Sequence, residues 1–253
     1  VLALEFPPLT HVVRWPAFFG EGQWWAFNKV ALICMLAMVM TLLLFVAANK
    51  KQLVPGRIQS IGELSYDFID TGIVKENIGP HASGWTPVLM ATFFYIAFTN
   101  IFEVVPFFQM PASAQIALPM VLALFAWVCY IGAGVKEHGP LGYLKTSLFP
   151  PGLPAPLYLL ITPIEFISTF VVRPFSLMVR LFANLLAGHM LLVTFATLAA
   201  GLFVKQWYAI FLPLPAFAMI FFTAFEIMVS FLQAYVFTLL LAVYIGLSVS
   251  HDH

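Results

Sequence analysis

From Leu157 to Val249 the chain carries two apolar runs that are too long for the layer they suit. Residues 157–204, if helical, extend roughly 70 Å and residues 207–248 roughly 60 Å, against a hydrocarbon core of about 30 Å. Pro163, Pro174, Pro213 and Pro215 allow bends, but the apolar pattern continues well past each of them. The consistent solution is a hairpin of two long, steeply tilted helices. A short vertical helix with re-entrant pieces is the less favoured alternative. With 62% hydrophobic and 9% charged residues and a mean hydropathy of +0.98, the chain has too little polar surface to cover a soluble domain. The fold class is therefore an all-α integral membrane protein, a single membrane domain over 1–253. About five membrane-embedded helices and one amphipathic surface helix are expected.

The remaining segments follow from length and charge. Residues 1–26, with Trp24 and Trp25 as an interfacial pair, read as an external N-terminal segment. No basic stretch leading into a short apolar core opens the chain, and its start at Val1 implies that a few residues precede it. The first span is 27–48, and Lys50, Lys51 and Arg57 after it mark the cytoplasmic side. Over 57–77 Ile58, Ile61, Leu64, Phe68 and Ile69 recur at helical spacing opposite Gln59, Ser60, Glu63, Asp67 and Asp70. That pattern suits a helix lying on the membrane surface, or an ordinary soluble helical hairpin. Spans at 86–105 and 116–135 follow, the second returning to the cytoplasm at Lys136 and Lys145. Pro150, Pro151, Pro154 and Pro156 make a rigid connector.

A charge inside such a helix is costly, by roughly 2.5 to above 10 kcal/mol, and marks function or a partner by default. On one face of 163–190 lie Glu165, Thr169, Arg173, Ser176, Arg180 and Asn184, within about 100° of one another. His189 points elsewhere. The last helix carries Thr223, Glu226, Ser230 and Gln233 at i, i+3, i+7 and i+10. Thr223 and Ser230 suit interhelical hydrogen bonding, whereas Glu226 marks either an ion path or a salt bridge to the preceding helix. His189 reads equally as a satisfied interhelical histidine or a relay. It is expected to act with Glu226 as one unit across the hairpin. The zero net charge argues against nucleic-acid binding. Cys34 and Cys129 sit in apolar runs as packing residues, and no metal-ligand spacing, nucleotide loop or nucleophile elbow occurs. No metal or cofactor is expected.

The segment RPFSLMVRLFANLLAGHMLL resembles the signature helix of subunit a of F-type (rotary) ATP synthases, whose core reads R-L-x-x-N-x-x-A-G. FEIMVSFLQAYVFTLLLAVYI is similar to that family's last helix, and TNIFEVVP to its T-N-x-x-x-x-x-P. The resemblance spans roughly 90–248. It implies a subunit that is not an enzyme by itself and binds no nucleotide. Its partners would be a rotor ring of subunit c, the peripheral-stalk subunit b, the rest of the complex and lipid. Arg180 falls on the essential arginine, the electrostatic barrier between two offset half-channels, and Asn184 on the motif's asparagine. Glu226, His189, Gln233 and Glu103 match positions of the outer half-channel, and Glu165 the acidic residue near the inner one. Arg173, Ser176, Ser230 and Tyr235 are candidate accessory residues; Arg173 could equally close a salt bridge or meet head groups. The pairing of His189 with Glu226 is the mitochondrial-type arrangement, and Ala183 stands where the family often has glycine. The extended N-terminal region favours a multi-pass protein of a bacterial plasma membrane over a mitochondrial inner membrane. A stand-alone secondary transporter or cation channel, with Arg180 as substrate counter-ion, is the alternative function. A non-conducting assembly subunit is a third.

Overall fold

The computed structural model describes residues 19, 27–48, 56–105, 108, 112–149, 155–204 and 212–250, and all structural statements refer to these. The tryptophan pair, the Lys50–Lys51 end of the first span, most of the loop after residue 105, the proline connector at 150–154 and residues 207–211 lie outside them.

Helix α1 (Lys29–Ala48) buries only Ile33, Ala37 and Thr41, one residue per turn. Met35, Met38, Leu42, Leu43 and Val46 are exposed around the rest of it. A helix apolar on every side with so narrow a protein contact is built for lipid. Asn28 caps it, its Oδ1 accepting from the Ala31 amide at 3.0 Å.

Helix α2 (Arg57–Ile69) crosses α1 closely: a Cβ on Gly62 would run into that of Ala48. It continues through a π-helical turn, Asp70–Val74, in which the Lys75 amide reaches back five residues to the Asp70 carbonyl, and closes with Lys75–Asn77. The segment is thus one interrupted helix rather than a helical hairpin. Gln59, Gly62, Ile69, Asp70 and Ile73 face the protein. The stripe Ile58, Ile61, Leu64 and Phe68 stays exposed beside the polar face of Ser60 and Asp67, as a helix lying at an interface requires. Asp70 ties this helix to the next: Thr86 Oγ1 donates to its Oδ1 at 2.6 Å, and Lys75 Nζ lies 2.5 Å from Oδ2. These two contacts hold the Asp70 carboxyl below the usual carboxylate range, and Asp70 raises the Lys75 ammonium in turn.

Helix α3 (Thr86–Ile101) has Pro87 in its first turn, where a missing amide costs nothing. It ends before Glu103, which sits in a turn whose amide bonds to the Asn100 carbonyl. Helix α4 (Ala117–His138) stops at Gly139, at φ +74°. Helix α5 (Pro140–Leu148), which the sequence reading did not anticipate, folds back from that turn. Its Tyr143 ring packs where Gly134 lacks a side chain.

The chain then runs as one continuous helical rod: α6 (Ala155–Ile167), a second π-helical turn at Ser168–Val172, and α7 (Arg173–Val204). Helix α8 (Pro213–Val249) returns along it with 37 residues, about 55 Å. Its exposed apolar residues run from Leu214 and Phe217 through Phe225 and Phe231 to Leu247, so the whole length suits lipid. To stay within a core of about 30 Å it must lie roughly 55° from the membrane normal. Four helical segments are long and apolar enough to cross a membrane: Lys29–Ala48, Ala117–His138, Leu157–Leu202 and Pro213–Val249. Among the described residues there is no β-strand, only an isolated bridge between Phe19 and Phe27.

The core forms where α8 packs against α3, α4 and α7. Ile96, Tyr130, Leu177, Leu181, Phe237, Leu241 and Ile245 meet there, with Ile69 and Ile73 closing one end. A smaller cluster of Ile33, Ala37, Phe102 and Ala112 joins α1 to the opposite end.

Candidate functional site

On α7 Leu177, Leu181, Leu185 and His189 recur every fourth residue and are buried. This leaves Arg180 and Asn184 on the open side of the rod, flanked by the exposed Ala183, Ala187 and Leu191. The structure therefore places Arg180 midway along an apolar helix, facing outward, in no ion pair with any described residue. Asn184 Nδ2 donates to Gln233 Oε1 across the hairpin at 3.3 Å, so the asparagine beside Arg180 is positioned by α8.

Toward the end that bears Glu103, three titratable side chains converge. His189 Nδ1 lies 3.3 Å from Glu103 Oε1, and the Glu226 carboxyl stands beside them, with none of the four carboxyl oxygens in a hydrogen bond. All three are buried. Glu103 thus stands with His189 and Glu226 as a third member that sequence pairing of His189 with Glu226 leaves out. Glu226 also lies against the backbone of Gly188, where a Cβ would collide with its Oε1. The small residue preceding His189 is what lets α8 bring a carboxyl so close to α7. Ser113 Oγ donates to Asn100 Oδ1 at 2.9 Å just beyond.

Two cavities meet at this cluster. One, of about 240 Å³, is lined by Glu103, His189, Ala196, Met219 and Thr223. The other, of about 260 Å³, lies between α7 and α8 beside Asn184, Gly188, Glu226 and Ser230. Glu103 borders the first and Glu226 the second, so the two carboxyls stand between the cavities. Several polar atoms here have no protein partner, among them Asn100 Nδ2, Ser230 Oγ and Gln233 Nε2. Buried polar atoms in cavities of this size are suited to water.

A third cavity, of about 170 Å³, opens at the other end, beside the lysine-bearing ends of α4 and α5. Its polar lining includes His138, Tyr143, Glu165, Thr169, Arg173 and Ser248. Arg173 is half-buried and makes no ion pair among the described residues; its guanidinium sits 5.4 Å from the centroid of the Tyr244 ring.

The sequence profile of the ATP synthase A chain matches residues 30–246. The chain belongs to the ATP synthase subunit a family. ATP synthase subunit a of Rhodococcus erythropolis strain PR4 is 42% identical over 229 residues, covering 89% of this chain and 83% of the relative. That of Frankia alni is 36% identical over 249 residues, 96% and 86% of the two chains. That of Streptomyces lividans is 35% identical over 235 residues, 90% and 81%.

In this subunit a family member, Glu103, His189 and Glu226 gather in one cluster, Asn184 and Gln233 join the two helices farther along, and Arg180 lies on the open face. Glu165 and Arg173 line the opposite cavity. Ser230 is buried within the α7–α8 seam. Ser176 Oγ donates to the Arg173 carbonyl, a local bond. Tyr235 sits apart, its ring 6.0 Å from Phe68 of the surface helix. Tyr143, His138 and Ser248 were not singled out by the sequence, because α5 and the end of α8 come together only in the fold. Gly188 had a signal, a glycine directly before the buried histidine. Among the described residues no three His, Cys, Asp or Glu side chains are arranged to hold a metal ion.

Proposed function

We propose that this chain is the proton-translocating stator subunit of a rotary ATP synthase in a bacterial plasma membrane. It works beside a rotor ring of subunit c and is held by the peripheral-stalk subunit b and the rest of the complex. The outward-facing Arg180 carries the reading. A guanidinium on a lipid-compatible face needs an opposite charge, and the described residues supply none there. A ring that presents one buried carboxylate per subunit supplies it, and the small neighbours Ala183 and Ala187 let such a surface approach.

Protons from outside enter the cavity at His189, pass between Glu103 and Glu226 and reach the ring carboxylate from the cavity beside Asn184. They ride round with the ring and leave through the cavity at Glu165. Arg180 holds the arriving carboxylate in its ionised form, because opposite charge in a low dielectric favours ionisation. The same charge repels a hydronium that would cross directly between the two openings. The subunit binds no nucleotide and catalyses nothing alone. A stand-alone transporter would carry its own counter-ion for Arg180, which is why that alternative is the weaker one.

Arg180→Ala should abolish ATP-driven acidification of inverted vesicles while the complex still assembles. Near-normal pumping by the assembled variant would refute the assignment.

A further inference from the structure

The π-helical turn at Ser168–Val172 lies between the inner cavity and Arg180, and it changes what Glu165 faces. On an unbroken α-helix Glu165 would stand about 160° from the buried Leu177–Leu181–Leu185 face, and Thr169 about 120°. A turn that closes five residues back takes in about one residue more, which rotates everything upstream by roughly 100°. Glu165 then stands about 60° from the buried face and Thr169 about 20°. Thr169 is accordingly 3% exposed, and Glu165 lines the inner cavity together with it.

Pro174 and Tyr130 decide between the two registers. The Arg173 amide bonds to the Ser168 carbonyl, five residues back. The next donor in that pattern would be the amide of residue 174, which is proline and has none. The carbonyl left over is that of Thr169, and the Tyr130 hydroxyl of α4 donates to it at 2.7 Å. In an α register Arg173 would serve Thr169, and the orphan would move to Phe170. Tyr130 is 0% exposed, and its ring stands edge-on to Tyr244, the ring beneath Arg173.

We infer that Tyr130 is a positioning residue for proton exchange. By satisfying the Thr169 carbonyl it selects the π register, and that register aims Glu165 into the inner cavity. The inference rests on the reading of Glu165 as the inner-pathway group.

The test uses the assembled complex in inverted vesicles, with Cys34→Ala and Cys129→Ala, and Glu165→Cys as reporter. A small hydrophilic thiosulfonate applied from the cytoplasmic face should label residue 165. Adding Tyr130→Phe, which keeps the ring, should slow labelling about fivefold, the effect of losing one hydrogen bond from the balance between registers. Deleting Val171, an exposed residue of the π turn, removes the extra residue and so keeps the faces aligned without a π turn. The deletion alone should label like the reporter, and combined with Tyr130→Phe it should restore the rate. An unchanged rate in Tyr130→Phe, or no restoration by the deletion, overturns the inference. If Tyr130→Phe does not assemble, the deletion alone decides: labelling retained supports the inference and labelling lost overturns it. Pumping by the Glu165→Cys reporter judges the underlying reading separately, since normal pumping removes Glu165 from the path whatever the labelling shows.

Discussion

Gly188→Ala should separate assembly from proton transfer. The added methyl would fall on Glu226 Oε1 and come within 3.1 Å of its Cδ and 3.4 Å of its Cγ. The obstacle is a carboxyl rather than backbone, so the side chain swings while the helices stay. Overpacking of this kind costs about 1–3 kcal/mol, but alanine regains about 1 kcal/mol of helix propensity over glycine. The complex should therefore form near its normal level. The Glu226 carboxyl, however, must move by about 1 Å from its place beside Glu103, and displacements of that size lower transfer rates about 100-fold. ATP-driven acidification and synthesis under an imposed proton gradient should fall by about 10- to 100-fold per assembled complex. Glu226→Asp, whose carboxyl retracts by about one bond, ~1.5 Å, should recover part of the rate in the Gly188→Ala background. A rate equal to wild type in Gly188→Ala, or no gain from the second change, would refute the account of this close approach.

Exchanging His189→Glu and Glu226→His should restore part of the activity lost by either change alone, through Glu103. With Glu103→Leu present that recovery should vanish, as pumping by the three variants will reveal. Gly246→Ala should be plainly destabilising, by about 1–3 kcal/mol in thermal unfolding of the purified complex, because its methyl would strike the Asn77 carbonyl, which is backbone. Asp70→Asn should loosen the surface helix and lower the melting temperature. Asp70 is depressed, so its contribution is complete above the ordinary carboxylate range and is lost as pH falls through its lower value; Lys75 is raised, so its share is complete below the ordinary lysine range and is lost as pH rises through the higher one. The difference between Asp70→Asn and the parent should therefore be flat between about pH 5 and 9 and shrink on acidification below that; a difference that changes steeply across neutrality counts against this pair.

What was legible in the sequence is what depends on local composition and period. Apolar runs longer than a bilayer is thick require tilted helices wherever they pack, and the spacing of Ile58, Ile61, Leu64 and Phe68 defines the surface stripe without any partner. Arg180 and Glu226 stand out because an ionisable group in such a helix is expensive in any fold. What only the tertiary structure decided is what those groups meet. Arg173 was open between a salt bridge and lipid head groups until α8 put Tyr244 beneath it. Glu103 comes from a turn some 86 and 123 residues from its neighbours His189 and Glu226, and no periodicity relates a turn to two later helices. The wheel drawn over 163–190 assumes one register throughout. It could not include a π turn selected by a tyrosine 39 residues away, because a carbonyl left over by Pro174 has no partner within its own segment. Local pattern determines which faces are apolar; the register of a helix, and the company its charges keep, belong to the contacts between helices.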